Sequence, residues 1–99
     1  MSLNRYAKRR DANEPSIIQA LEAIGVTVYR QDLPLDLLCC YRGVTFNLEV
    51  KDGDKVESRT KATKSQDQFL ATWTGPARIV KTVSQAIAAA QEFANGRSR

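Results

Sequence analysis

The sequence predicts an α/β domain, a mixed four-stranded sheet flanked by helices, in the order helix, three strands, helix, strand, helix. Three features of the chain point there. Apolar residues recur at helical spacing in three separate segments, around Ile17-Leu21, Phe69-Trp73 and Ile87-Phe93. Leu35–Tyr41 and Val44–Lys51 both read as strands and are separated only by Arg42-Gly43, a two-residue hairpin connection ending in Gly. A helical segment then intervenes before a fourth strand at Ala77–Val80, so three meandering strands are followed by a helix crossover.

The elements follow in chain order. Residues 1–10 are expected to form a flexible basic arm. Asp11-Ala12-Asn13-Glu14-Pro15 starts the first helix, with Asn13 or Asp11 able to cap it and Pro15 tolerated in its first turn. Ile17, Leu21 and Ile24 repeat along it, and Gly25 stops it. Val26–Arg30 is a short β-branched strand and Gln31–Pro34 a connector to the hairpin. Residues 52–62 lack an apolar period and are expected to form a mobile loop. Thr63 with Gln66 reads as a capping box, and Phe69, Leu70 and Trp73 form the apolar stripe of a second helix ended by Gly75-Pro76. After the fourth strand, Thr82 with Gln85 is another capping box, opening a last helix with Ile87, Ala90 and Phe93 inward. Residues 11–95 thus make one domain, with a basic tail at 96–99.

Composition narrows the chemistry. No apolar run approaches the about 20 residues a membrane helix needs, and no signal-peptide pattern opens the chain, so a cytoplasmic protein with no membrane partner is expected. The chain contains no His, which excludes His-based triads and His-ligated zinc. Cys39 and Cys40 are adjacent, and on a strand they point to opposite faces, which suits two free thiols better than a disulfide or a shared zinc. With 15 Lys and Arg against 11 Asp and Glu the formal charge is +4. The cations cluster: Arg9 and Arg10 end the N-terminal arm, and Lys55, Arg59, Lys61 and Lys64 follow the hairpin. Such clusters suit a phosphate backbone, and they equally suit a solvated surface.

The hairpin register brings the chemistry together. With Tyr41 facing Val44, one face carries Leu37, Cys39, Tyr41, Val44, Phe46, Leu48 and Val50, a uniform core face. The other carries Asp36, Leu38, Cys40, Thr45, Asn47, Glu49 and Lys51, with Asp36 opposite Glu49. Opposed residues have Cβ atoms about 5 Å apart, so the two carboxylates repel unless a cation sits between them. Asp, Glu and Lys on one face make a plausible site for a hard metal and a phosphate; the alternative is a solvent-facing sheet side with a Glu–Lys ion pair. Glu14 and Gln66 each head the inward line of their helix, where a first-turn acid also complements the helix dipole and Gln66 also serves a capping box.

The segments RDANEP, DLLCCYRG, NLEVKDG, TKSQDQF and WTGPARIVKTVSQAI resemble those of small phage and bacterial nucleases of the PD-(D/E)XK superfamily, the virus-type replication-repair (VRR-NUC) group in particular. The resemblance covers nearly the whole chain and implies a restriction-endonuclease-like αβββαβ core and Mg²⁺- or Mn²⁺-dependent endonuclease-type hydrolysis of DNA phosphodiesters, with junctions or flaps among the expected substrates and RNA left open. It implies a bacterial or phage-infected host. It further implies that Asp36, Glu49 and the Val50 backbone carbonyl hold the metal and that Lys51 orients the attacking water or neutralises the phosphate. Glu14 is implied to assist the metal or the water, and Gln66 to contact substrate or support Lys51. An ammonium beside two carboxylates suits an electrostatic role, with the general-base role open. The family has Pro immediately before the motif Asp, where this chain has Leu35, with Pro34 one residue earlier. A homodimer is also expected, since one small domain carries one site and cutting a duplex takes two; the Ala-rich last helix is a candidate interface. Competing readings are a noncatalytic nucleic-acid-binding module of the same fold and a protein-interaction subunit in phage replication or packaging.

Overall fold

The structure is a computed structural model and describes residues 11–52 and 64–96. The expected N-terminal arm with Arg9 and Arg10, the tail beyond Gly96, Thr63, and the loop cations Lys55, Arg59 and Lys61 lie outside the described residues. The order is α1 (Glu14–Ala23), β1 (Thr27–Arg30), β2 (Leu37–Tyr41), β3 (Val44–Val50), α2 (Lys64–Thr72), β4 (Ala77–Val80) and α3 (Val83–Ala94). The strands form one mixed sheet ordered β1-β2-β3-β4, antiparallel except for the parallel β3–β4 pair that the α2 crossover makes possible.

The hairpin has the register that alternation predicts, from Tyr41↔Val44 through Leu37↔Leu48. Arg42 and Gly43 both take positive φ, 52° and 81°, the signature of a type I′ turn whose twist matches the strands it joins. Leu37, Cys39, Phe46, Leu48 and Val50 are buried on one face, together with Ile17 and Leu21 of α1 and Ala86, Ala89, Ala90 and Phe93 of α3. Phe46 and Phe93 meet at 5.2 Å between ring centroids. The α1 end is a Schellman motif: the Gly25 N–H donates to Glu22 and the Val26 N–H to Leu21, which packs Val26 into the core beside Leu21.

Several local expectations are corrected. Strand β2 begins at Leu37 rather than Leu35, because the Val50 N–H donates to the Asp36 carboxylate (2.8 Å) and the ladder stops there. Asn13 sits at the α1 N-cap without a side-chain capping bond; its amide donates instead to the carbonyls of Lys51 (3.0 Å) and Lys81 (2.8 Å), tying the helix start to the ends of β3 and β4. At α3, Thr82 accepts from the Gln85 N–H as expected, but Gln85 reaches back to the Lys81 N–H rather than that of Thr82. The inward line of α3 runs through Ala86, Ala89, Ala90 and Phe93, with Ile87 half-buried at its flank. On α2 the apolar stripe is no core: Phe69 and Leu70 are half-buried and Trp73 is 43% exposed. The residue that α2 buries is Gln66.

Candidate active site

Counting one step beyond Leu37↔Leu48 sets Asp36 against Glu49, at the end of the sheet where β2 stops. Residues flanking a two-residue turn exchange both backbone bonds, and such pairs then alternate, so Leu35 and Val50 would be the next to do so. Here the Asp36 carboxylate replaces the Leu35 carbonyl as acceptor for Val50. One side chain therefore ends the ladder and stands at the site. The Val50 carbonyl points to the same strand edge as its N–H, and so lies on the Asp36 side.

The facing carboxylate is gathered from three directions. Glu49 Oε1 accepts the Asp36 N–H at 3.2 Å. Glu49 Oε2 accepts from Gln66 Nε2 at 2.7 Å and lies 3.2 Å from Lys51 Nζ. Glu49 is 2% exposed, Asp36 4%, Gln66 5% and Lys51 9%. An ordinary solvent-facing sheet side does not look like this. Taking carboxylates out of water costs several kcal/mol per ion unless partners compensate, and here Lys51, Gln66 and two backbone N–H groups supply the compensation. Asn47, also buried on this face, accepts from Gln31 Nε2 at 2.7 Å, and the Gln31 N–H closes the β1–β2 connector onto the Asp36 carbonyl at 2.8 Å.

The structure thus joins Asp36, Glu49, Lys51 and Gln66 by direct bonds. Glu14 is fully buried at the start of α1 and pairs with Arg30 Nε at 3.0 Å. Arg30 lies opposite Leu37 and so belongs to the helix-covered face of the sheet. Lys64 is exposed at the first position of α2, two residues before Gln66 and so on the opposite side of the helix. Sequence reasoning gave no role to Arg30 or Gln31, gave Asn13 only a capping role, and placed Asn47 on this face without a role. A polar residue at the alternation of β3 could have flagged Asn47, whereas the other three act through contacts remote in sequence. A groove of about 580 Å³ between α1 and β1, lined by Ile18, Gln19, Val28, Tyr29 and Arg30 among others, does not include the carboxylates.

The residues present fit a hard divalent cation by donor chemistry: two carboxylates and a backbone carbonyl are oxygen ligands, and Mg²⁺ characteristically takes one or two carboxylates and keeps several waters. Among the described residues no group of three or more His, Cys, Asp or Glu comes together. No protein-family model, curated protein or solved structure matches the chain. No helix among the described residues is long and apolar enough to cross a membrane.

Proposed function

We propose that the chain is a divalent-metal-dependent nuclease that hydrolyses phosphodiester bonds in DNA, built on a restriction-endonuclease-like core of the PD-(D/E)XK type. One observation carries the reading: two opposed carboxylates are buried at a strand end with a lysine and a glutamine on the same oxygen of one of them. The αβββαβ element order and the motif residues that resemble the virus-type replication-repair nucleases support it.

Asp36, Glu49 and the Val50 carbonyl would hold Mg²⁺ or Mn²⁺. Bound there, the metal would activate water and offset charge on the transferring phosphoryl group. Lys51 then acts as a fixed positive charge beside the scissile phosphate, donating to a nonbridging oxygen or orienting the water. Gln66 holds the Glu49 carboxylate in one orientation, since its amide grips Oε2. Glu14, which the resemblance implies assists the metal or the water, is paired with Arg30 on the helix-covered face and would act on the site only through water. Arg9, Arg10, Lys55, Arg59, Lys61 and Lys64 hold the phosphate backbone by charge, with little base reading. The active species is a homodimer, so that two sites address a junction, flap or duplex.

Incubation with duplex, single-stranded, flapped and four-way DNA, with Mg²⁺, Mn²⁺ or EDTA, tests the assignment. Cleavage requiring metal and lost in Asp36→Asn and Glu49→Gln is expected; cleavage that persists in EDTA, or in both variants, sinks it. The second reading is a noncatalytic nucleic-acid-binding module of the same fold. Salt-dependent DNA binding with no cleavage of any substrate would select it.

A further inference from the structure

Trp73 is the chain's only tryptophan, and it is 43% exposed. Its ring is not loose. One side stacks on Phe69, with centroids 5.1 Å apart and planes 24° apart. The indole edge lies against Gly75, where a Cβ would fall 2.8 Å from Nε1, so only glycine lets the backbone run that close. The Trp73 N–H donates to the Phe69 carbonyl at 2.8 Å, which extends the helical geometry of α2 through Trp73. Held by these contacts, the residue still leaves 43% of its surface open to solvent.

The position of that ring relative to the carboxylate site is set by the helix. Trp73 follows Gln66 by seven residues, which on an α-helix is a drift of only about 20° and a rise of about 10 Å. Gln66 is bonded to Glu49, so Trp73 lies on the same helix line as the carboxylate site. A separation of about 10 Å corresponds to roughly three stacked nucleotide steps of ~3.4 Å, fewer for an extended strand.

We infer that Trp73 is a stacking platform for an unpaired nucleobase, one to three nucleotides from the phosphate held at Lys51, so that the site takes a single-stranded or splayed segment rather than an intact duplex. This rests on the nuclease reading and narrows its substrate class. A base inside a duplex is already stacked on both faces and cannot cover the ring, whereas an unpaired base of either DNA or RNA can. The rigid backing by Phe69 and Gly75 means the ring need not be ordered when the base arrives, which lowers the entropic cost of binding.

Because the protein has one tryptophan, its emission reports this contact alone. The full chain is titrated in EDTA with single-stranded DNA, single-stranded RNA, blunt duplex and inorganic polyphosphate. Binding is followed in parallel by anisotropy of labelled oligonucleotides and by competition with the polyphosphate. Single strands are expected to quench Trp73, while duplex and polyphosphate bind without quenching. The Trp73→Ala variant should bind single strands about ten-fold more weakly, toward the lower end of what one base stacked on an aromatic ring contributes, with the salt slope unchanged. Trp73→Phe should recover most of that loss. Equal quenching by duplex, single-strand binding without quenching, or unaltered affinity in Trp73→Ala overturns the platform. So does an emission shift that grows with protein concentration alone, which would place a second copy on the ring. Metal-dependent cleavage is measured separately, on the same protein preparations and oligonucleotides with Mg²⁺ or Mn²⁺ in place of EDTA. Its presence with no Trp73 effect leaves the nuclease standing without the platform; its absence together with quenching leaves the platform on a noncatalytic binder.

Discussion

At the scale of single residues, the division of labour around Glu49 can be separated experimentally. Lys51 pairs with Glu49 but is not itself a cation ligand, so Lys51→Ala should abolish cleavage while calorimetric Mn²⁺ affinity falls little or rises. Full cleavage in that variant contradicts the role. Asn13 makes a different kind of contribution: its one amide donates to two carbonyls at the ends of β3 and β4. Asn13→Ala should cost about 1–2 kcal/mol in denaturant unfolding, and Asn13→Asp more, because a carboxylate there faces two carbonyl oxygens. Cys39 offers a pH handle. Burial, with Cys40 adding to it, pushes its thiol from an ordinary 9.0 up to about 12. The folded chain therefore keeps a proton that the unfolded chain releases above pH 9. Stability from this group is fully present below pH 9 and is lost as pH rises toward 12, by at most about 1.4 kcal/mol per pH unit. Cys39→Ala should flatten that part of the stability profile. An identical slope in both proteins would assign the loss elsewhere.

At the scale of elements, what could be read from sequence is what depends on near neighbours. The β2–β3 register was legible because a two-residue turn leaves one pairing that keeps both faces consistent, and Asp36 facing Glu49 follows from it. The turn itself is testable. Gly43 has φ 81° with open space where a Cβ would go, so Gly43→Ala should cost about 1–2 kcal/mol through backbone conformation alone. A neutral result would show that the turn changes type. Elements failed where a contact is distant in sequence or a second layer is missing. Asn13 reaches residues 38 and 68 positions away, which no local capping rule anticipates. The period of Phe69, Leu70 and Trp73 says that α2 is amphipathic but cannot say whether anything covers its apolar side. In α3 the small residues face inward because α1 approaches closely there, and bulk alone pointed to Ile87 instead.

At the scale of the whole molecule, the proposed dimer has fewer surfaces available than the sequence suggested. Ala89, Ala90 and Phe93 are buried in the protein's own core, which removes the Ala-rich side of α3 as an interface. The exposed apolar residues Tyr29, Leu33 and Leu38 lie on or beside β1, an edge strand of the sheet among the described residues. Edge strands pair readily with another copy, and the proposed dimer would form by symmetric pairing of β1 with β1. Sedimentation at micromolar concentration should give twice the 11.0 kDa chain mass, reverting to a single chain in Tyr29→Asp with Leu33→Asp. A single chain in the parent protein rejects the dimer.

The hydrogen bond from the Val50 N–H to the Asp36 carboxylate makes the last rung between β2 and β3 an ionic one. An amide proton given to a charged oxygen resonates at a position set by that charge, so one peak in a nitrogen-15 spectrum reads the electrostatic state of the site from inside the backbone. Mg²⁺ bound as proposed would draw electron density from Asp36 and should move the Val50 peak, whereas in Asp36→Asn added metal should leave it unmoved. Its exchange with solvent deuterium should slow as the cation tightens the rung. Ligand occupancy and strand fraying are then two readings of the same proton.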